Sequence, residues 1–528
     1  MENKEGFSTV ELFPGEIQRK EPSSDEQQEV NAGISGRPRM QVIDRKQMIL
    51  KPIDVDNLVE KDHEVRAIWE LVGRLDLSAY YDDIEAVEGK AGRPAIDPQL
   101  LISIWIYAYS KGISSAREIC RLCEYDPAYQ WLTGMEEINY HTLSDFRVYH
   151  GEALHGLFVE VLGVLSSEGL VTFERVMHDG TKIKAYASTD SFRTEGRIRA
   201  HLEAAREQVQ LMKENAEQEV SPRVESRRER VVRERKERLE LALDELEKIR
   251  ESKKSQKEKA GARVSMSDPE SRNMKQSDGG FAPSFNVQIS TDSKNKVIVG
   301  VDVSQSGCDY GELVPAVDRI KENMGHFPEQ MVVDGGFIST ENVLAMEEKK
   351  VDLIGPVYNG AAESDAQMHK KGVDLVFRPD AFRFDGETNT YICPNGKVLR
   401  YEGEEKQKGH TRYRYRACTI DCKACQFKQQ CCPQNQTKGR SIVRGVIEPV
   451  VVAFKTRMKT DEVKAIYKQR AAVAEFPNAW IKEKIRLRQF RLQGLLKVGI
   501  EALWACITYN IQQWIRLCWR SQQVLCSR

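Results

Sequence analysis

The sequence has almost no net charge, since 79 Lys and Arg stand against 80 Asp and Glu for a formal total of −1. A global basic excess is therefore excluded as the source of any affinity for a polyanion. Long unbroken apolar runs are also missing. The most apolar stretch of the tail, residues 494–519, is interrupted by Lys497, Glu501, Gln512, Gln513 and Arg516. It does not read as a membrane-spanning helix, and no membrane partner is expected. The first twenty residues lack a basic segment followed by an apolar one, so no secretory signal is expected and the expected compartment is the cytoplasm. Cysteine is present at 12 in 528 residues. Without a signal, that usage fits reduced thiols or metal ligands better than a disulfide framework. The length allows roughly two to four domains at about 100–200 residues each, with a large core.

The neutral total conceals an uneven distribution. Residues 1–36 hold eight acidic residues against three basic ones and few apolar ones, so residues 1–37 read as a disordered tail. From Lys455 to Arg528 there are fifteen Lys or Arg and five Asp or Glu. Such a local basic block suits a polyanion-facing surface, and it suits a solvated helix face about equally well.

Residues 38–170 read as helical. Pro98 opens a long apolar run, and Ser114 and Thr142 stand as cap candidates for later helices. Gly92-Arg93-Pro94 ahead of them reads as a basic turn. A DNA-reading domain and a simple packing module are equally compatible with this text. Residues 171–190 and 271–357 change period. His178-Asp-Gly lies at a strand, Phe285-Asn-Val-Gln-Ile-Ser and Val297-Ile-Val-Gly-Val form a hairpin, and a helix, Met331-Val-Val-Asp, a helix and Val351-Asp-Leu-Ile follow. That order is the order of an α/β RNase H-like core. Residues 191–270 interrupt it with Ile198, Leu202, Ala205, Val209 and Met212, then Leu239, Leu243 and Leu246, at helical spacing. They predict two long antiparallel helices, a coiled-coil-like insertion that dimerises, contacts DNA or only spaces two elements. Residues 451–528 read as helices returning to the core.

Residues 358–450 form a Cys-rich insertion. Cys422-Lys-Ala-Cys425 is a CxxC knuckle, and Cys393 precedes a Pro-Asn-Gly turn. Cys393, Cys422, Cys425 and Cys431 can close a structural tetrahedral Zn²⁺ site, with Cys418 or Cys432 as substitutes. Non-ligating thiols are the bland alternative.

The acids that carry chemistry should be Asp179 and Asp334, each expected at a strand end and each followed by glycine, together with Glu475. Two carboxylates in reach of one another repel unless a divalent cation lies between them, and Mg²⁺ (or Mn²⁺) takes such oxygen ligands. A third carboxylate would complete a two-metal site for phosphoryl transfer. Tyr467, Arg470 and Lys482 surround Glu475, with the two cations placed to hold phosphate, and Pro477 is expected to kink or end that helix. Asp302 and Asp309 compete with these acids; Asp302 lies within an apolar strand, and helix capping explains Asp309.

These residues resemble a DDE transposase of a bacterial insertion sequence, in the branch with a Tyr–Arg–Glu–Lys signature. The matching text is Gly92-Arg-Pro-Ala-Ile-Asp-Pro-Gln-Leu-Leu, Thr142-Leu-Ser-Asp-Phe-Arg, His178-Asp-Gly-Thr-Lys-Ile-Lys-Ala, Asp268-Pro-Glu-Ser-Arg-Asn-Met, Asn286-Val-Gln, Val333-Asp-Gly-Gly-Phe, Glu475 with Lys482, and Tyr509-Asn. It covers about residues 40–520. Asn478-Ala479 replaces the usual Phe-Gly, and four residues rather than three separate Arg470 from Glu475. The resemblance implies a triad of Asp179, Asp334 and Glu475 holding Mg²⁺ or Mn²⁺. It implies contacts from Tyr467, Arg470 and Lys482 to transposon-end DNA, and a zinc-ribbon-like Cys-rich insertion. The implied reaction nicks the ends and joins their 3′-OH groups to target double-stranded DNA, without a nucleotide cofactor and in a homodimer at the bacterial nucleoid. A nuclease of the same fold, or a DNA-binding protein that has lost catalysis, are the alternatives.

Overall fold

The computed structural model describes residues 44–521, apart from position 49, several positions between 83 and 93, and residues 215–221, 358–368, 371, 408–409, 433–437 and 446–447. The acidic tail and the Gly92-Arg93 turn lie outside the described residues. Residues from Asp54 onward form one unit.

That unit begins with helices whose starts follow from their caps. They are α1 (Glu64–Val72), α2 (Pro98–Ser110), α3 (Ala116–Tyr125), α4 (Pro127–Thr133), α5 (Tyr140–Tyr149) and α6 (Gly151–Ser167). Asp97 caps α2 by accepting from Gln99 N at 2.9 Å, with Pro98 in the first turn. The Ser114 expectation shifts by one residue, since Ser115 caps α3. The Thr142 expectation is corrected. Asn139 caps α5, accepting from His141 N at 2.8 Å, and Thr142 lies inside the helix. An Asn side chain reaches an amide two residues ahead, so it starts the helix earlier.

The central sheet has six strands: β1 (Arg175–Lys184), β2 (Arg272–Lys275), β3 (Phe281–Asp292), β4 (Ile298–Ser304), β5 (Gln330–Val333) and β6 (Asp352–Ile354). Strand β3 is central to the antiparallel half, with β1 on one side and β2 and β4 end to end on the other. Parallel strands β5 and β6 continue beyond β1. Between β1 and β2 lie α7 (Glu195–Glu214) and α8 (Pro222–Ser252). Pairs Arg250–Glu195 and Arg206–Glu240 run in opposite senses along them, so the two helices are antiparallel. Ile198, Leu202, Ala205, Leu239 and Leu246 share one buried cluster, the narrow stripe read from their spacing. Between β4 and β6 come α9 (Leu313–Met324) and α10 (Thr340–Glu348).

A second sheet follows with order β11-β10-β9-β8-β7, made of β7 (Arg383–Asp385), β8 (Thr390–Ile392), β9 (Val398–Gln407), β10 (His410–Ala417) and β11 (Ser441–Gly445). The chain then forms α11 (Pro449–Arg457), α12 (Asp461–Lys468), α13 (Arg470–Glu483) and α14 (Leu495–Trp514). Pro477 lies within α13 and the helix runs through it to Glu483, so it does not end the helix.

Helix α14 is the apolar tail segment, and it is a core helix packed on α2, α6 and β4. No helix among the described residues is long and apolar enough to cross a membrane. Its polar residues are locks. Buried Asn510 accepts from Ile298 N at 2.9 Å and donates to Ile298 O at 2.8 Å, and Tyr509 donates to Lys296 O at 2.7 Å. Glu270 accepts from Leu495 N at 2.8 Å and Asp268 from Gly494 N at 3.2 Å, which holds the helix start. The motifs Asp268-Pro-Glu and Tyr509-Asn therefore fasten α14 to the sheet.

Candidate active site

Strand register brings the first two acids together. The parallel pairing of β1 with β5 ends at His178 opposite Val333, and the next residue on each chain is an aspartate. Neighbouring strands lie about 4.8 Å apart, so Asp179 and Asp334 stand side by side. Alternation puts Met177 and Asp179 on one face, as it does Val332 and Asp334. Met177 and Val332 pack there against Val473 and Ala474 of α13. One expectation changes, because Asp179 does not end its strand. Strand β1 continues to Lys184 against β3, and only its pairing with β5 stops at His178.

Helix α13 supplies the groups above the pair. The Arg470 guanidinium lies 3.7 Å from Asp179 Oδ1 and 4.0 Å from Asp334 Oδ2. Asn478, two turns further on, approaches Asp179 Oδ2 at 3.5 Å. Burial pushes the Asp179 carboxyl up to about 6; Arg470 opposes this, and Asp334 and Asp309 add to it. Lys482 is pushed down by burial and lines a cavity with Gly180, Thr181, Lys182, Lys275 and Asp309. Tyr467 belongs to α12, the helix before, with Arg470 at 6.0 Å from its ring. Glu475 is exposed on α13. Among the described residues no three His, Cys, Asp or Glu side chains are gathered to hold a metal ion. The two aspartates fit a hard cation by donor type and by the guanidinium already shared between them. Glu475 does not join them as a third ligand in this arrangement.

Behind the pair lies a buried polar network. His178 is fully buried, stacked edge-on against Phe337, and burial pulls its imidazole down to about 4, so it is neutral. Its Nδ1 lies 2.9 Å from Ser290 Oγ and its Nε2 2.9 Å from Gln288 Oε1. The Gln288 amide donates to Asp309 Oδ1 at 3.0 Å and Asn286 donates to the same oxygen at 2.8 Å. The capping expectation for Asp309 is thus corrected: Glu312 holds the N-cap position of α9, without a side-chain capping bond, and the Asp309 carboxylate is held by the sheet. Capping is a local contact, whereas the Asp309 partners are more than twenty residues away. The overlooked signal was Ser284, Asn286, Gln288 and Ser290 at every second position of a strand that is buried on both faces. Asp302 instead pairs with Arg319 at 3.6 Å.

In the second sheet, Cys393, Cys422, Cys425, Cys431 and Cys432 line one cavity. Lys397 N donates to Cys393 Sγ at 3.2 Å, Arg440 N to Cys422 Sγ at 3.4 Å, and Asn395 Nδ2 to Cys425 Sγ at 3.6 Å. Donors aimed at sulfur suit thiolates. Burial raises the Cys431 thiol to about 12, and the neighbouring Arg440 opposes the rise. Cys418 is exposed.

Two family profiles match the chain. One is described as a transposase DDE domain and covers residues 392–515, including strands β9 to β11 of the Cys-rich sheet, α13 and α14. The other, a transposase domain (DUF772), covers residues 53–148 in the N-terminal helices. No curated protein matches the chain. Transposases act on DNA, and DDE domains work with divalent metal ions. Matched in two separate regions by transposase profiles, the chain is indicated to be an insertion-sequence DDE transposase, a family whose members are DNA transposase enzymes.

Proposed function

We propose that this transposase binds the terminal inverted repeats of its insertion sequence, cleaves there, and transfers the 3′-OH ends to target DNA. The observation that carries the reading is the side-by-side placement of Asp179 and Asp334 under a shared Arg470. In this reading the six-stranded sheet is an RNase H-like core, and its strand order supports that. Asp179, Asp334 and Glu475 hold Mg²⁺ or Mn²⁺, Glu475 joining when DNA is bound. Divalent cations bound there supply Lewis-acid activation of the attacking oxygen and charge neutralisation at phosphorus.

The chain's own residues supply the rest. Arg470 neutralises the paired carboxylates and keeps them from repelling one another until the site is loaded. Lys182, Lys275 and Lys482 give the adjoining cavity a cationic lining suited to a phosphodiester backbone. His178, buried and neutral, fixes the Gln288 amide rather than moving a proton. Residues 38–170 read the ends, the basic residues beyond Lys455 add salt-sensitive affinity, and Cys393, Cys422, Cys425 and Cys431 hold a structural Zn²⁺. A homodimer brings two ends together at the nucleoid.

The test is purified protein with Mg²⁺ and DNA carrying the sequences that flank its own gene, with strand products mapped. Defined nicks plus joined products are expected. Cleavage without joining would establish a nuclease instead, and binding without cleavage a DNA-binding protein.

A further inference from the structure

Asp309 lies just ahead of α9, yet its side chain belongs to the open end of the sheet. Both amides that hold it come from β3, and both donate to one oxygen, Oδ1. Those amides are fixed in turn: Gln288 presents its NH₂ to Asp309 because its carbonyl faces His178 Nε2. The other oxygen, Oδ2, takes no hydrogen bond among the described residues and lies 3.9 Å from the point a Cβ on Gly336 would occupy. A Cβ on Gly180 would meet Asp309 Oδ1 at 2.5 Å and Gln288 Nε2 at 2.7 Å. Gly180 sits in regular strand, so glycine is required there for space and not for backbone conformation. The residues two past Asp334 and one past Asp179 are thus both bare beside Asp309.

We propose that Asp309 is a further carboxylate of the cation site, held ready by Asn286 and Gln288. The proposal rests on the reading of Asp179 and Asp334 as cation ligands. A second observation points to a ligand in the same place. Asn286 is 1% exposed, and its Oδ1 has no hydrogen-bond partner. That oxygen lies 3.1 Å from the Gly180 Cβ point, which is also 2.5 Å from Asp309 Oδ1. An unpaired buried acceptor beside a half-free carboxylate suits a water of a hydrated cation, which donates to both. Charge agrees: Asp309 lies at the same end of the sheet as Asp179 and Asp334, though the three are not grouped as metal ligands in this arrangement, and Arg470 alone forms ion pairs with any of them among the described residues. Lys182, Lys275 and Lys482 share a cavity with Asp309 but form no ion pair with it. That leaves its free oxygen for a cation and the lysines for phosphate.

The experiment measures Mn²⁺ binding to the full chain without DNA, from the free-Mn²⁺ electron paramagnetic resonance signal, alongside thermal melting. Asp309→Asn keeps the shape and removes the charge. It is expected to weaken Mn²⁺ binding at least tenfold while melting near the wild type. Gly180→Ala should give the same loss, because its methyl group displaces the carboxylate, and it decides the matter if Asp309→Asn does not fold. Asp334→Ala is the reference. If Asp334→Ala loses Mn²⁺ while Asp309→Asn and Gly180→Ala bind it as the wild type does, Asp309 is a structural residue and the proposal is overturned alone. If Asp334→Ala also binds Mn²⁺ normally, the reading of the paired aspartates fails and takes the proposal with it.

Discussion

Asp179 and Asp334 occupy equivalent positions on two parallel strands, each one residue past the pairing of His178 with Val333. Arg470 reaches both from the helix above. Backbone register holds the two carboxyl-bearing residues side by side, so their charges repel. The site therefore stores an electrostatic cost that a cation offsets.

Burial of Asp179, to which the Asp334 charge adds, has a pH signature in the metal-free protein. The Asp179 carboxyl is raised to about 6 from an ordinary value of 3.8. Below pH about 4 it is protonated whether folded or unfolded and carries no penalty. As pH rises through 4 to 6 the unfolded chain releases its proton first, so stability falls, and above about 6 the loss is complete. Asp179→Asn should therefore be more stable than wild type at pH 7, by on the order of 1–3 kcal/mol, with the difference vanishing near pH 4. Chemical denaturation of both proteins across this range checks it. A constant difference would show that Asp179 does not titrate as described.

A second prediction concerns the helix that backs the site. Glu501 is fully buried in α14 and accepts from Arg491 N at 2.9 Å and Leu492 N at 3.0 Å, tying the segment after α13 to the core. Glu501→Ala strands both amides and should cost on the order of 2–4 kcal/mol. A urea midpoint equal to that of wild type would contradict this role.

The lysine at the far end of α13 is a test of the DNA-facing side. Lys482→Ala should weaken end binding and lower the slope of log affinity against log salt by about one. Fluorescence titrations at several salt concentrations measure that slope. An unchanged slope would remove Lys482 from the phosphate contacts.

The Cys-rich sheet gives a further expectation. Wild-type protein should contain about one zinc per chain. Cys422→Ser should lose it and melt lower, while the catalytic cleavage of remaining folded protein persists. Equal zinc content and equal melting temperature would show that Cys422 is not a ligand.

Much of this architecture is legible in the residues alone, and the failures share a cause. The β3–β4 hairpin, the strand before Asp334 and the stripe Ile198, Leu202, Leu239 and Leu246 follow from periodicity, which is local. Asp334 stands out because glycines follow an apolar strand. Asp309 does not, since its meaning depends on Asn286 and Gln288 arriving from another strand. Spacing around Arg470 suggests a phosphate-holding cation beside Glu475. It cannot show that the guanidinium turns to Asp179 and Asp334 in the DNA-free chain while Glu475 faces solvent. Pro477 passes within α13 because only one backbone donor is lost and the helix around it is packed on the core.

The measurement closest to the central claim compares wild type with Asp334→Ala on DNA carrying the element's own ends, reading end binding and strand cleavage in the same Mg²⁺-containing samples. The paired-carboxylate account predicts that Asp334→Ala binds the ends as wild type does and yields no nicked or joined product. Mg²⁺-dependent cleavage by folded Asp334→Ala would contradict it.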